Sequence, residues 1–128
     1  MTELGYPTSP ENMRRRFHRV YSDPACHTLI AEQEGCVIGM AGLETGHCYG
    51  ADDAYARISA FVVASRYRRL GVGKALIQAA EDRARQIGAG HVFLSSGAHR
   101  PGAHDFYEAS GYEVTGYRFS KRFGENIE

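Results

Sequence analysis

The chain has no tryptophan, and its three cysteines and four prolines are few and scattered. Cys26, Cys36 and Cys48 are odd in number and lack the paired spacing of a disulfide framework, a CxxC redox centre or a zinc site. They are expected to be reduced thiols, with no metal bound. Net charge is missing too, since 15 Lys and Arg balance 15 Asp and Glu. No global field therefore draws the chain to nucleic acid or to a membrane surface. No apolar run approaches the length of a bilayer span, and the start, rich in Glu, Pro and Arg, has no signal-peptide core. These absences predict a cytoplasmic protein without nucleic-acid, membrane or metal partners. At 128 residues, with neither internal repeats nor linkers, residues 1–128 are expected to form a single domain.

What the chain does have is a basic, glycine-containing turn, Ser65-Arg66-Tyr67-Arg68-Arg69-Leu70-Gly71-Val72-Gly73-Lys74-Ala75-Leu76. Upstream, Ile58, Ala60 and Val62 alternate with Ser59, Phe61 and Val63, as in a mostly buried strand. Downstream, Val72, Leu76, Ala79, Ala80 and Ile87 recur at helical spacing. The turn is thus placed at a helix N-terminus, where free N–H groups and the positive end of the helix dipole favour a phosphate. Glycines at 71 and 73 would let a pyrophosphate approach the main chain, with Arg68, Arg69 and Lys74 adding positive charge. A P-loop is excluded by Arg68 and Ala75, which stand where it needs Gly and Ser or Thr. A dinucleotide fingerprint is excluded by Leu76, which stands where it needs its third glycine.

Arg68-x-x-Gly71-x-Gly73 instead resembles the pyrophosphate loop of the GNAT superfamily of acetyl-CoA-dependent N-acetyltransferases. A second motif follows in order: Ala103-His104-Asp105-Phe106-Tyr107-Glu108-Ala109-Ser110-Gly111-Tyr112 is similar to the family's Ala-x-x-Phe-Tyr-x-x-x-Gly-Phe/Tyr segment. The resemblance covers most of the chain from about Ser9 onward.

The remaining pattern is compatible with that fold. Ser9 and Pro10 open a first helix whose Met13, Phe17, Val20 and Tyr21 share an apolar face, with Arg14, Arg15, Arg16 and Arg19 as a solvated side; Asp23-Pro24 ends it. Residues 27–33 and 36–43 read as a hairpin around Glu34-Gly35. A strand over 55–63, the helix to Ile87, a strand over 91–95, a helix over 102–110 and two short strands around Thr115-Gly116 complete the reading. This order predicts an α+β fold, a mixed, mostly antiparallel twisted sheet flanked by helices, as the GNAT resemblance also implies.

For the chemistry, the resemblance implies a bulge in the strand ending at Val62-Val63, with the pantetheine arm of acetyl-CoA in the gap beside it. Val62 and Val63 would bond that arm, and the amides of Gly71, Val72, Gly73, Lys74 and Ala75 would hold pyrophosphate. Ser95, Ser96, Arg100 and His104 are further candidate cofactor contacts. Arg100 stands where relatives often carry Asn. Tyr107 matches the family tyrosine that faces the coenzyme sulfur, and a phenol near pKa 10 can protonate a thiolate. The usual glutamate of an Ala-Glu-Ile context is replaced in Ala56-Arg57-Ile58, and arginine cannot accept a proton. Glu44, His47, Tyr49, Asp52 and Asp53 approach that strand and are the alternative bases, directly or through water; a further alternative is no side-chain base at all, the amine arriving neutral or deprotonating through ordered water. Arg57 suggests recognition of an anionic group on the acceptor.

The expected activity is direct acetyl transfer to the primary amine of a small molecule. A non-catalytic acyl-CoA-binding module and a protein or peptide amine acetyltransferase are the alternatives. Relatives usually begin with a strand and a helix pair, whereas here only Leu4 to Tyr6 precedes the first helix. An edge position is therefore expected to be open, with a homodimer as the remedy.

Overall fold

The computed structural model describes residues 9–68, 70–95, 101–116 and 118–124. Its elements are α1 (Pro10–Ser22), β1 (Cys26–Gln33), β2 (Cys36–Gly46), β3 (Ala54–Val63), a 3-10 turn (Ser65–Tyr67), α2 (Val72–Gln86), β4 (Ala89–Leu94) and α3 (Pro101–Ala109). Chain contacts divide it into two compact units, Met1–Leu94 and Ser95–Glu128.

In the first unit a four-stranded sheet runs in the order β1-β2-β3-β4. The first three strands are antiparallel and β4 joins β3 in parallel, so α2 is the crossover that a parallel neighbour requires. Two residues close the β1–β2 hairpin: Glu34 at φ 51° and Gly35 at φ 82° give the mirror-image turn whose twist matches the strands.

Register assigns the faces. Directly opposed residues share a face, and a Cβ built on Gly39 would lie 3.4 Å from the Leu76 side chain, so the face of Gly39 is the one α2 covers. Ala41, Leu43, Ala56, Ile58 and Val63 lie on it, buried against Leu76, Ile77, Ala80 and Ala84 of α2. The opposite face carries Glu44, Tyr55, Arg57 and Val62. β2 is buried without interruption from Ile38 to Leu43, as a central strand with both faces covered should be.

Three expectations need correction. First, Ile58, Ala60 and Val62 do not share one face. Leu43 opposes Ile58 while Gly42 opposes Ala60, so Ser59 is an extra residue and the alternation changes phase there. Second, α1 has no buried residue, and Tyr21 is 90% exposed; the helix packs on β1 along only part of its apolar side. Third, described residues 112–116 and 118–124 form no strand. Val114, Phe119 and Phe123 are exposed there, and β propensity makes a strand only where a partner supplies the ladder.

In the second unit α3 ends in a Schellman motif. The Tyr112 N–H donates to the Tyr107 carbonyl at 3.0 Å and the Gly111 N–H to the Glu108 carbonyl at 3.1 Å. Gly111 takes the left-handed conformation this closure needs, at φ 96°.

Candidate active site

The site is built where the sheet comes apart. β3 and β4 stay paired as far as Ile58 and Leu94, where β4 ends. β3 runs on through Ser59 to Val63, still paired with β2. The bulge at Ser59 thus coincides with the parting of the strands, leaving five residues of β3, about 16 Å of strand at 3.3 Å per residue, beyond the end of β4.

The direction of the main chain along this stretch follows from one bond. The Ala64 N–H donates to the Ile38 carbonyl at 2.8 Å, which makes Gly39 and Val63 a non-hydrogen-bonded pair and Met40 and Val62 the hydrogen-bonded one. The Val62 N–H and carbonyl are therefore spent on β2. Those of Val63 turn to the other edge, where the Val63 carbonyl accepts from Arg68 Nε at 3.0 Å. Of the two valines named from sequence, Val63 alone addresses the gap through its backbone.

The turn then delivers a helix end. The 3-10 turn at Ser65–Tyr67 is followed by Gly71, the N-cap of α2, at φ 87°. A side chain at this position would meet no atom within 4 Å, so backbone conformation alone demands glycine. No side chain caps α2 and no acidic residue stands in its first turn. By contrast, Ser9 caps α1 through a 3.1 Å bond from the Asn12 N–H, with Pro10 and Glu11 in its first turn. The amides of Gly71, Val72, Gly73 and Lys74 are the four that a helix start leaves without internal partners. Ala75 differs, because its N–H donates to the Gly71 carbonyl at 3.0 Å; the amide cradle is 71–74. Lys74 and Arg68 are exposed beside it, and the Arg66 guanidinium lies over the Tyr67 ring at 5.8 Å.

The remaining candidates belong to the second unit or lie outside the described residues, Arg69 among the latter. Ser95 directly follows β4 and is exposed. Arg69, Ser96 and Arg100 lie outside the described residues. His104 and Tyr107 are half-buried on α3. The Tyr107 ring contacts Phe106 and Tyr112, with centroids 5.4 and 6.2 Å apart. The arginine-bearing side of α1 is exposed, with Arg15 bonded to Asn12.

The sequence reading missed one constellation. Cys26, Glu44, Arg57 and Phe93 form a single row across all four strands, on the face opposite α2. Arg57 Nη1 donates to Glu44 Oε1 at 2.7 Å. Thus where the resemblance implies a glutamate and the chain carries Arg57, the neighbouring strand supplies a carboxylate directly opposite. Tyr55, His91 and Phe93 adjoin the pair, with the Tyr55 and Phe93 rings 5.3 Å apart. Burial first, then the charges of Asp23 and Glu44 and a bond to Asp23, push the Cys26 thiol above its ordinary pKa. It is poorly suited to be a nucleophile. Only knowledge of the register, fixed by the bulge, makes this row visible.

A family model described as acetyltransferase (GNAT) family matches residues 1–112. The chain belongs to this acetyltransferase family. This GNAT chain is 34% identical over 99 residues to the aminoalkylphosphonate N-acetyltransferase of Salmonella typhimurium, covering 77% of the present chain and 64% of the relative. Among solved structures, a GNAT family acetyltransferase of Staphylococcus aureus superposes with a TM-score of 0.81 at 27% identity, over 95% of this chain and 83% of that one. AAC(6')-Iy, solved with the bisubstrate analogue CoA-S-monomethyl-acetylneamine, shares the fold with a TM-score of 0.83 at 18% identity, over 94% and 84% of the two chains. The GNAT fold expected from sequence is therefore the one observed.

Proposed function

We propose that the protein transfers an acetyl group from acetyl-CoA directly to the primary amine of a small molecule. The observation that carries this is a succession along one stretch of chain: the β3 bulge at Ser59 coincides with the end of β4 pairing at Ile58, and the same strand leads through one short turn to the uncapped start of α2 at Gly71. A strand edge is suited to the amide-bearing pantetheine arm, and a helix start without cap or acid is suited to its pyrophosphate. In this reading Gly71, Val72, Gly73 and Lys74 bind pyrophosphate through their amides, Arg68, Arg69 and Lys74 add charge, and Val63 bonds the arm. Ser95, Ser96, Arg100 and His104 supply further contacts.

The chemistry needs a neutral amine, a polarised carbonyl and a proton for sulfur. The nitrogen lone pair attacks the thioester carbon; the C–N bond forms, the C–S bond breaks, and sulfur leaves with the bonding pair. Tyr107 gives that thiolate its proton. The nitrogen sheds one in turn, and Glu44 is the carboxylate the sheet offers to receive it. The names of the relatives support an amine acceptor of small size, since one acts on aminoalkylphosphonates and another was solved with an acetylneamine bisubstrate analogue.

The test is to incubate the chain with acetyl-CoA and a panel of small amines, following free thiol and the mass of the products. Amine-dependent thiol release with a matching N-acetyl product is expected. Acetylation of added peptides alone would move the acceptor to the protein class. Binding without any transfer would leave an acyl-CoA-binding module.

A further inference from the structure

The Glu44–Arg57 pair combines features that an ordinary surface ion pair does not. It lies one residue before the point where β3 and β4 part, on the sheet face opposite α2. It is flanked by the Tyr55 and Phe93 rings, with Phe93 directly opposite Arg57 on β4. Both side chains are partly withdrawn from water, at 31% and 39% exposure, and still reachable from it. The 2.7 Å contact joins one guanidinium nitrogen to one carboxylate oxygen. An arginine has five N–H donors and a carboxylate two oxygens, so each member keeps capacity for a second partner.

We propose that Arg57, positioned by Glu44, reads an anionic group on the acceptor. The preferred acceptor is then a short zwitterion, a primary ammonium with a phosphonate, phosphate or carboxylate a few bonds away. This rests on the acetyl-transfer reading above. The argument is one of charge balance. An ion pair beside aromatic rings is neutral as a unit, and a zwitterion is neutral as a unit; laid head to tail, each charge gains an opposite neighbour without net charge entering a partly dry site. The ammonium goes to Glu44, losing one proton to solvent there before its lone pair attacks, and the oxyanion to the guanidinium, whose planar fork fits two oxygens at once. A plain alkylammonium ion would meet Glu44 with an uncompensated Arg57 beside it. Where a glutamate in this strand would serve any amine, an arginine with its carboxylate on the next strand selects amines that carry their own counter-charge.

Steady-state kinetics at saturating acetyl-CoA, with aminoethylphosphonate, β-alanine and propylamine as acceptors, test this. The wild type should prefer the two zwitterions over propylamine by about 10-fold or more in kcat/KM. Arg57→Gln should collapse that ratio, with a loss of about 10- to 100-fold for the zwitterions carried by KM, the scale of hydrogen bonds to a charged group. Arg57→Lys keeps a cation for Glu44 and loses the fork, so it should retain the melting temperature and recover only part of the preference. A parallel loss for all three acceptors in both variants, or a wild type that does not discriminate, overturns the proposal. If acetyl-CoA raises the melting temperature yet no zwitterion is acetylated, the acceptor assignment falls by itself. If acetyl-CoA does not bind at all, the reading beneath it falls.

Discussion

The Nε–H of Arg68 donates to the Val63 carbonyl at 3.0 Å, fastening the basic turn to the last residue of β3. One bond thereby links the strand edge that would carry the pantetheine arm to the loop that would carry its pyrophosphate. Arg68→Ala removes both this tie and a positive charge. Acetyl-CoA affinity should fall by about tenfold or more, the scale of one charge-assisted hydrogen bond. Arg68→Lys should restore only part of it, because lysine has no Nε–H fork. Calorimetric titration of the two variants checks both expectations.

Gly73→Glu places a bulky carboxylate on the second residue of α2, among the amides proposed to hold pyrophosphate. Acetyl-CoA should raise the melting temperature of the wild type, because it occupies a site present only in the folded chain. It should not raise that of the variant. Gly71→Ala is a separate case. Its side chain would meet nothing within 4 Å, but φ 87° is a left-handed conformation, so a stability loss of about 1–2 kcal/mol is expected from strain alone.

Tyr107→Phe removes a hydroxyl and leaves the ring contacts with Phe106 and Tyr112. If Tyr107 protonates the departing thiolate, kcat should fall by about 10²-fold while acetyl-CoA affinity stays within a factor of two or so. Turnover at the wild-type rate would assign the tyrosine to packing.

Cys26 supplies a pH-dependent expectation. Its folded-state pKa is raised above the ordinary thiol value of 9.0, so the contribution of this group to stability is full below that value. It is lost as pH rises through the raised folded-state pKa. Alkylation near pH 8 should modify the exposed Cys36 and Cys48 before Cys26. Cys26→Ala should still transfer acetyl groups, which mass spectrometry of the products would verify; loss of transfer with the fold intact would point to an acyl-cysteine route.

Among the described residues β1 ends the sheet order, and Ile30 on it is exposed, as are Phe17, Val20 and Tyr21 of α1. Open strand edges and apolar surface favour association, so light scattering at micromolar concentration should report a dimer. A stable monomer would remove that expectation.

The elements that punctuation defines were legible in the sequence. Ser9-Pro10, Glu34-Gly35, Gly71 and Gly111 each mark a boundary that the structure places within a residue or two. What depends on pairing was not. Nothing local distinguishes Ser59 from its neighbours as the extra residue, yet it reverses the faces of Ala60 and Val62, and the Glu44–Arg57 row is fixed only by the register on its far side. Described residues 112–116 and 118–123 show the same limit from the other direction, since their apolar residues form no strand. The extent of the amide cradle required counting from the cap: with Gly71 as N-cap, Ala75 is the first amide inside the helix ladder.

The measurement that bears most directly on the central claim is the backbone amide spectrum of the labelled protein during titration with acetyl-CoA. The resonances of Gly71, Val72, Gly73, Lys74 and Val63 should move in a saturable way, and that of Ala75, already bonded to the Gly71 carbonyl, should move less. Saturable shifts centred on the arginine-bearing side of α1, or no shifts at all, would contradict the account.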